Sequence, residues 1–306
     1  MPHRNMDGCP GVMHAASTST TTTGERTTIA RHLPSSQTAS ASGGFVSGVA
    51  DVTFLHHTLY ALIAGAGCSH GLAGTFNGID RISSGGIATP IVNLSRFLKS
   101  HPVAHPNPGD FEPDGTWYSF VPVGDALYAV EPNHGEVDVV RPDGKISRLV
   151  DVSATQGHIV PTALAFVPFG SPSNGVKRGR FVLGNLNTFN SGTQGHAEVF
   201  RLTMQGHLKE ITSGLTAVTG VAVHDKQIYA LEAFTGFYAP TPDDAHSGKV
   251  VRLARDGSWR TIVRALSFPT AMTFNGNTLY ISNKGFGQPT NTSGEIVKVQ
   301  VPDTGD

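Results

Sequence analysis

The sequence predicts an all-β fold, a β-propeller of four-stranded antiparallel blades. Charged residues make up 15% of its 306 residues, whereas glycine and proline contribute 36 and 19 residues, a composition that disfavours long helices and requires many turns. A hydrophobic content of 39% is sufficient for a substantial core. A short strand-like segment also recurs five times, and regular repetition of this kind is typical of propellers.

The recurring segment is the predicted second strand of each blade. Its matched positions are residues 60, 128, 181, 229 and 280, so successive copies lie 68, 53, 48 and 51 residues apart. A spacing near fifty residues, with one long insertion, is that of propeller blades. The insertion includes residues 96–115, a proline-rich stretch that we expect to form a loop over one face.

Apolar segments on either side of each second strand complete the predicted blades. The first strands are expected over residues 49–54, 118–123, 162–167, 218–223 and 271–274. The third strands are expected over residues 79–82, 136–141, 198–202, 249–253 and 295–299. Four repeats continue through a polar turn into a fourth strand, as in Asp143-Gly144 before residues 146–150.

The two ends of the chain predict how the propeller closes. The last repeat lacks a fourth strand, and residues 26–33 read like residues 259–266, so we expect an N-terminal strand to close the ring. Residues 1–25 are then a flexible Ser/Thr-rich arm, and residues 26–306 form a single propeller domain. The readable repeats give five blades.

Charge and motifs exclude several classes of function. Lysine and arginine (22) balance aspartate and glutamate (23), so no basic excess is available for nucleic acid. We find no run of about 18 apolar residues for a membrane span and no signal peptide. Neither a dinucleotide fingerprint nor a phosphate-binding loop is present, so we expect no redox cofactor. Cys9 and Cys68 form one disulfide, or Cys68 is a buried free thiol.

Polar residues directly after the second strands are the candidate site, because these strand ends open around the mouth of the propeller channel. The candidate catalytic groups are Glu131 and Glu232, together with His134 and His158 from loops of the same face. If a calcium-class cation is bound, its ligands are Glu131, Asn185, Glu232 and Asn283. The alternative interpretation is that these side chains only hydrogen-bond neighbouring loops.

Further loop residues are candidates for holding a substrate. We expect contacts from the amides Asn133, Asn185 and Asn283 and from the aromatic residues Trp117, Phe234, Phe237, Tyr238 and Phe286. Three other features are weaker. Cys68 and His70 could act as nucleophile and base, but no oxyanion hole is readable beside them. Lys284 could form an imine with a carbonyl substrate, but nothing in the sequence lowers its pKa. Residues 110–115 are calcium-like only in composition, and we expect them to form a solvated turn.

Five segments resemble one known family. Residues 48–52, 59–62 with 67–71, 111–118, 131–136 and 157–165 resemble the ScyD/ScyE family of β-propeller proteins, named from scytonemin biosynthesis. The resemblance extends from about residue 43 to 300. It implies six blades, a shape related to the gluconolactonase and strictosidine synthase groups, secretion, and a place in specialised metabolism. It implies no agreed reaction.

Three functions fit these observations. The first is an enzyme of specialised metabolism that binds a small aromatic or apolar metabolite in the channel mouth and promotes a condensation or cyclisation without a cofactor. The second is a metal-dependent, lactonase-like hydrolase. The third is a non-catalytic propeller that binds a protein partner or serves as a scaffold.

Overall fold

The computed structural model describes residues 13–20, 24–37, 46–169, 178–187, 194–236, 245–285 and 294–302. These residues form antiparallel sheets joined mainly by short turns, and the predicted all-β propeller class is confirmed. The chain divides into two compact units, residues 1–154 and 155–306. Each unit contains three sheets among the described residues.

The first unit begins with a three-stranded sheet of β1 (Met13–Thr20), β2 (Arg26–Gln37) and β3 (Val46–Ser47). Its second sheet has the order β4 (Val49–Leu55), β5 (Thr58–Ile63), β6 (Gly78–Ile82) and β7 (Ala88–Asn93). The third contains β8 (Ser119–Val123), β9 (Ala126–Glu131), β10 (Glu136–Val140) and β11 (Ile146–Asp151). Each of the last two is one predicted blade.

The second unit continues the same pattern. Its first sheet is β12 (Pro161–Pro168), β13 (Gly179–Asn185), β14 (Ala197–Thr203) and β15 (Leu208–Leu215). The next is β16 (Val218–His224), β17 (Gln227–Glu232), β18 (Gly248–Leu253) and β19 (Trp259–Leu266). The last has three strands, β20 (Ala271–Asn275), β21 (Thr278–Asn283) and β22 (Glu295–Gln300).

Part of the N-terminal segment predicted as an arm is a strand, and residues 1–12 and 21–23 of that segment lie outside the described residues. Residues 13–20 form β1, which pairs antiparallel with β2. Ala30 and Leu33 of β2 are buried against Ala61 and Ile63 of β5, so β2 packs on the neighbouring blade of its own unit. The ring closure by residues 26–33, the single-domain organisation and the blade count stay predictions.

Burial follows position within each blade. The second strands are more buried than the fourth strands of the same sheets, and every residue of β9 is buried, because the second strands are flanked on both sides. Fourth strands such as β11 and β15 are partly exposed. The hairpin between β16 and β17 turns at Asp225 and Lys226, which have φ of 48° and 63°, the left-handed values of a tight two-residue turn.

The insertion of the long repeat contains more regular structure than we expected. Helix α1 (Leu94–Ser100) opens it, and its N-cap Asn93 accepts a hydrogen bond from the Arg96 amide at 2.7 Å. Short 3₁₀ turns lie at Cys68–His70 and Pro108–Asp110. One helical turn, α2 (Ser153–Gln156), spans the sequence boundary between the units. Within the described parts of the chain, no helix is both long and apolar enough to cross a bilayer.

Candidate functional site

One position recurs at the end of the second strand in four blades, and it holds the four predicted site residues Glu131, Asn185, Glu232 and Asn283. The residue opposite on the third strand is a glutamate in two of these blades and a lysine in another. Glu131 faces Glu136, Glu232 faces Lys249, and Asn283 faces Glu295. Three of these side chains also accept a hydrogen bond from the backbone segment that leads into the first strand. The repeat therefore places equivalent polar pairs at one end of the blades.

Glu131 is fully buried and braces the loop in front of its blade. Its Oε1 accepts a hydrogen bond from the Thr116 amide at 2.8 Å, and its Oε2 accepts one from the His134 amide at 2.6 Å. Burial raises the pKa of this carboxyl, while His134 and the amide donors oppose the shift. Both oxygens of Glu131 are thus engaged by the backbone.

His134 and Asn133 hold the same loop from the other side. The Nε2–H of His134 donates to the Glu112 carbonyl at 2.8 Å, and its ring packs on Phe111 with 4.6 Å between the ring centres. The Asn133 amide donates to Asp110 Oδ1 at 2.8 Å. These contacts fix residues 107–117, the segment that we name the insertion loop. The positions of both residues match a loop-anchoring role.

The sequence reasoning missed a buried carboxyl pair beside Glu131. Glu136 and Asp138 are both fully buried and lie two residues apart on β10, so they share one face of the strand. Arg148 of β11 donates from Nε to Glu136 Oε2, and Trp117 donates from Nε1 to Asp138 Oδ2 at 3.3 Å. Glu136 Oε1 and Asp138 Oδ1 receive no hydrogen bond from another residue's donor in the described structure.

The physical consequence is that this carboxyl pair retains a proton. Burial, and then repulsion from Asp138, raises the pKa of Glu136 to about 9, although Arg148 opposes the shift. Burial likewise raises the pKa of Asp138 to about 7. The two carboxyls are in hydrogen-bonding contact, so one proton on either of them supplies the missing donor. The alternating Glu-Val-Asp of the third strand was the sequence signal for this pair.

Trp117, predicted to contact a substrate, lies in the core. Its side chain is fully buried within the cluster that includes Leu94, Leu98 and Leu127. Its indole N–H is directed at Asp138. Trp117 therefore orders the carboxyl pair and the end of the insertion loop.

The turn at residues 110–115 is only partly solvated, because Phe111 and Pro113 are exposed whereas Asp114 and Gly115 are buried. Asp114 is buried, its Oδ2 accepts from the backbone and side chain of Ser69 at 2.8 Å each, and its Oδ1 pairs with Lys99 of α1. Hydrogen bonds from these donors lower the pKa of Asp114 despite its burial. Asp114 can be buried because α1 places Lys99 beside its carboxylate.

His70 is engaged by the same loop, and Cys68 is exposed at the surface. The ring Nε2–H of His70 donates to the Gly115 carbonyl at 3.2 Å. Nearby, the Asn77 amide donates to the carbonyls of Asp114 and Gly115 at 3.0 and 2.6 Å. The ring of His70 therefore anchors the insertion loop, and a Cys68–His70 nucleophile gains no support. Cys9, the expected disulfide partner of Cys68, lies outside the described residues.

In the second unit, Glu232 differs from the equivalent residues of the other blades. Its Oε1 accepts from the Thr216 amide at 2.7 Å, whereas its Oε2 receives no backbone N–H and lies 3.1 Å from Lys249 Nζ in an ion pair. The residue is 2% exposed. Burial raises the pKa of Glu232, and Lys249 opposes this shift.

The side-chain amides of Asn185 and Asn283 in the second unit each accept one hydrogen bond and donate one. Asn185 accepts from the Glu198 amide at 2.6 Å and donates to the Ile159 carbonyl at 3.0 Å. Asn283 accepts from the Ser267 amide at 2.8 Å and donates to Glu295 at 2.7 Å. Lys284 Nζ also binds Glu295, at 3.0 Å. Among the four equivalent positions, a side-chain oxygen without a backbone donor therefore occurs at Glu232.

The remaining predicted site residues do not occupy the recurring position at the second-strand ends. Phe234 is buried and packs edge-on against Phe268, with 6.5 Å between the ring centres, and His158 is partly exposed on the loop before β12. Phe237, Tyr238 and Phe286 lie outside the described residues. Glu131 and His134 belong to one unit and Glu232 and His158 to the other, so the convergence of these groups stays a prediction. No group of three His, Cys, Asp or Glu side chains suited to a metal occurs in the described ranges.

Comparisons with known proteins support the fold at low identity. No protein-family model matches the chain, and no curated protein matches its sequence. A chain of the nidogen/laminin complex is similar over 85% of this chain and 76% of its own, with 14% identity and a TM-score of 0.53. A putative oxidoreductase (glucose dehydrogenase) from Thermus thermophilus shares 11% identity over 94% and 99% of the two chains, with a TM-score of 0.48.

A gluconolactonase from Xanthomonas campestris gives 13% identity over 78% and 75% of the two chains, with a TM-score of 0.47. Likenesses at such identities concern the fold alone. None of these comparisons supports the ScyD/ScyE family, so that resemblance stays a prediction.

Proposed function

We propose that the chain is a small-molecule enzyme of specialised metabolism that promotes a condensation or cyclisation without a cofactor, with Glu232 moving the proton. The observation that carries the proposal is the carboxylate oxygen Oε2 of Glu232. It is buried, it has no backbone donor, and it faces Lys249 at 3.1 Å. The equivalent residue Glu131 has both oxygens occupied by backbone amides, so it is the weaker candidate.

The Glu232–Lys249 pair has the properties of an acid–base group. A buried carboxyl with a raised pKa gains and loses its proton at a pH closer to neutral than an exposed carboxyl does. This property suits Glu232 to general acid–base catalysis. When Glu232 loses its proton, the adjacent ammonium stabilises the carboxylate. The Lys249 side chain is 33% exposed, so its charged end also reaches solvent.

The proposed substrate is a small aromatic or apolar metabolite. Phe234 follows Glu232 by two residues and packs with Ala217, Ala233 and Phe268, so an apolar cluster lies next to the acid–base group. As in the sequence analysis, His158 stays a candidate catalytic group, and Phe237, Tyr238 and Phe286, which lie outside the described residues, stay candidate substrate contacts. The ScyD/ScyE resemblance favours specialised metabolism and secretion.

The test is a product assay with matched variants. Purified protein is incubated with a panel of small aromatic aldehydes and 2-oxo acids, alone and in pairs, and products of water loss are measured by mass spectrometry. Glu232→Gln keeps the shape and removes the acid, and Glu131→Gln makes the same change at the equivalent position of another blade. We expect product from wild type and Glu131→Gln and a loss of at least about 100-fold in Glu232→Gln. Equal rates in wild type and Glu232→Gln refute the assignment.

A metal-dependent, lactonase-like hydrolase is the alternative, but the proposed ligands fit a calcium-class ion poorly as placed. The oxygens of Asn185 and Asn283 accept amide hydrogen bonds, and the ammonium of Lys249 stands beside the available oxygen of Glu232. A cation there would have to displace Lys249. A calcium-induced rise in thermal stability that Glu232→Gln abolishes would favour the hydrolase. Ligand binding without turnover would favour a non-catalytic binding propeller.

A further inference from the structure

A second candidate site lies in the unit that contains Glu232, between the blade of Glu232 and the blade before it, at the far end of the strand that carries Glu232. A cavity of about 200 Å³ is lined by the cationic side chains Arg180, Arg201 and Lys226 and by valine and isoleucine side chains. We call it the basic cleft. Lys226 occupies the turn before β17, and Glu232 ends that strand, so the two sites are separated by about 20 Å of extended chain.

The basic cleft lies at the rim of the packing between two successive sheets. Arg201 on β14 pairs in register with Val182 on β13, and Arg180 lies two residues before Val182 on the same face. Val182 and Val223 belong to one hydrophobic cluster, which joins this sheet to the next. The two arginines are therefore anchored on a rigid sheet, beside an apolar wall.

In the part of the chain that the structure describes, the charges of the basic cleft are not balanced by nearby carboxylates. Among the described residues, no Asp or Glu oxygen lies within ion-pair distance of Arg180, Arg201 or Lys226. Asp225, which precedes Lys226, is paired with His224 at 3.3 Å. Glu210 pairs in register with Phe200, and it therefore faces the other side of the sheet.

Another cation increases this imbalance. Lys209 lies directly opposite Arg201 in the pairing of β14 with β15. Like charges in directly opposed strand positions destabilise a sheet. Arg260, elsewhere in the unit, provides a contrast. It also lies opposite an arginine, Arg252, but the carboxylate of Asp256 is close enough to interact with it.

We propose that the basic cleft binds a small organic carboxylate with an apolar body. The carboxylate would lie between the guanidinium groups of Arg180 and Arg201, which are suited to paired hydrogen bonds with such an anion. The apolar body would rest on the valine and isoleucine wall. At about 200 Å³ the cleft is smaller than the sites of about 300 Å³ or more that hold drug-sized ligands, so the ligand is a compact one.

The test uses isothermal titration calorimetry with 4-phenylbutyrate as the probe. The uncharged 4-phenylbutan-1-ol has the same body without the carboxylate, and acetate has the carboxylate without the body. We expect saturable binding of 4-phenylbutyrate at a stoichiometry of one, weakened by added salt, and at least about tenfold weaker binding of either control compound.

Variants locate the binding. Arg201→Met retains the apolar stem and removes the charge, and we expect at least a tenfold loss of affinity (about 1.4 kcal/mol). Lys226→Gln, in an exposed turn, provides a second variant that leaves the sheet intact, with an expected loss of at least threefold. Arg260→Met is the matched control outside the basic cleft and should change affinity less than twofold. No saturable binding by wild type, or smaller losses than these in the cleft variants, overturns the proposal.

Discussion

Replacing Glu136 with glutamine should make the protein less sensitive to alkaline pH. The folded protein holds a proton on the Glu136–Asp138 pair, because the pKa of Glu136 is raised from 4.5 to about 9 and that of Asp138 from 3.8 to about 7. The unfolded chain releases both protons near pH 4. The stability contributed by this protonation is therefore fully present below the unfolded pKa values and is lost as pH rises towards 9.

The magnitude follows from proton linkage. When the folded state holds one proton more than the unfolded state, each rise of one pH unit lowers the free energy of unfolding by about 1.4 kcal/mol. From pH 7 to 9 wild type should thus lose about 1–3 kcal/mol. In Glu136→Gln the amide supplies the hydrogen that the proton provided, so Asp138 can ionise and the slope should largely disappear. The pH range from 7 to 9 lies above the pKa of about 6 that burial gives to the carboxyls of Asp51 and Asp80.

The assay is urea unfolding followed by circular dichroism at pH 7, 8 and 9, with a reductant present. Glu295→Gln is the control, because Glu295 occupies the equivalent position on β22 and Lys284 and Asn283 lower the pKa of its carboxyl. A lowered pKa makes its contribution present above pH 4.5 and lost in acid, so this variant should keep the wild-type slope between pH 7 and 9. Identical slopes in wild type and Glu136→Gln would refute the shared proton.

Two further variants test the packing that positions the sites. Asn77→Ala removes two hydrogen bonds to carbonyls of the insertion loop, at 3.0 and 2.6 Å, and should lower the free energy of unfolding by about 2–4 kcal/mol in urea titrations; a change below 0.5 kcal/mol would contradict the anchoring role. Gly184→Ala places a Cβ 2.8 Å from the Cγ1 atoms of Val218 and Val221, where two sheets meet, and should cost about 1–3 kcal/mol, seen as a lower Tm by calorimetry; an unchanged Tm would show that this contact relaxes freely.

The fold was predictable because local signals repeat. Each second strand carries the same apolar pattern, and the predicted strands overlap β4–β6, β8–β11 and their counterparts in the second unit. The same repetition was enough to predict that Glu131, Asn185, Glu232 and Asn283 lie at equivalent strand ends. Helix α1 was missed because a proline-rich stretch follows it directly, and that stretch determined our expectation for the whole segment.

The partners of those residues were much harder to predict, because they depend on register between strands. A register shift between Val137 and Asp138 sets which residues of β10 face Arg148. Glu136 and Lys249 occupy matching positions opposite Glu131 and Glu232. Glu136 shares a proton with Asp138, whereas Lys249 forms an ion pair with Glu232. The burial of Asp114 likewise depends on Lys99, fifteen residues earlier, reaching it from α1.

The central proposal is that Glu232 can hold and release a proton, and a carbon-13 NMR titration of its carboxyl tests this most directly. The resonance is assigned by its loss in Glu232→Gln, and the titration is repeated in Lys249→Met. Because burial outweighs the effect of Lys249, wild type should show a pKa above 4.5, and Lys249→Met should raise it further. A pKa below 4.5 in wild type would mean that Lys249 keeps Glu232 ionised and would contradict an acid–base role.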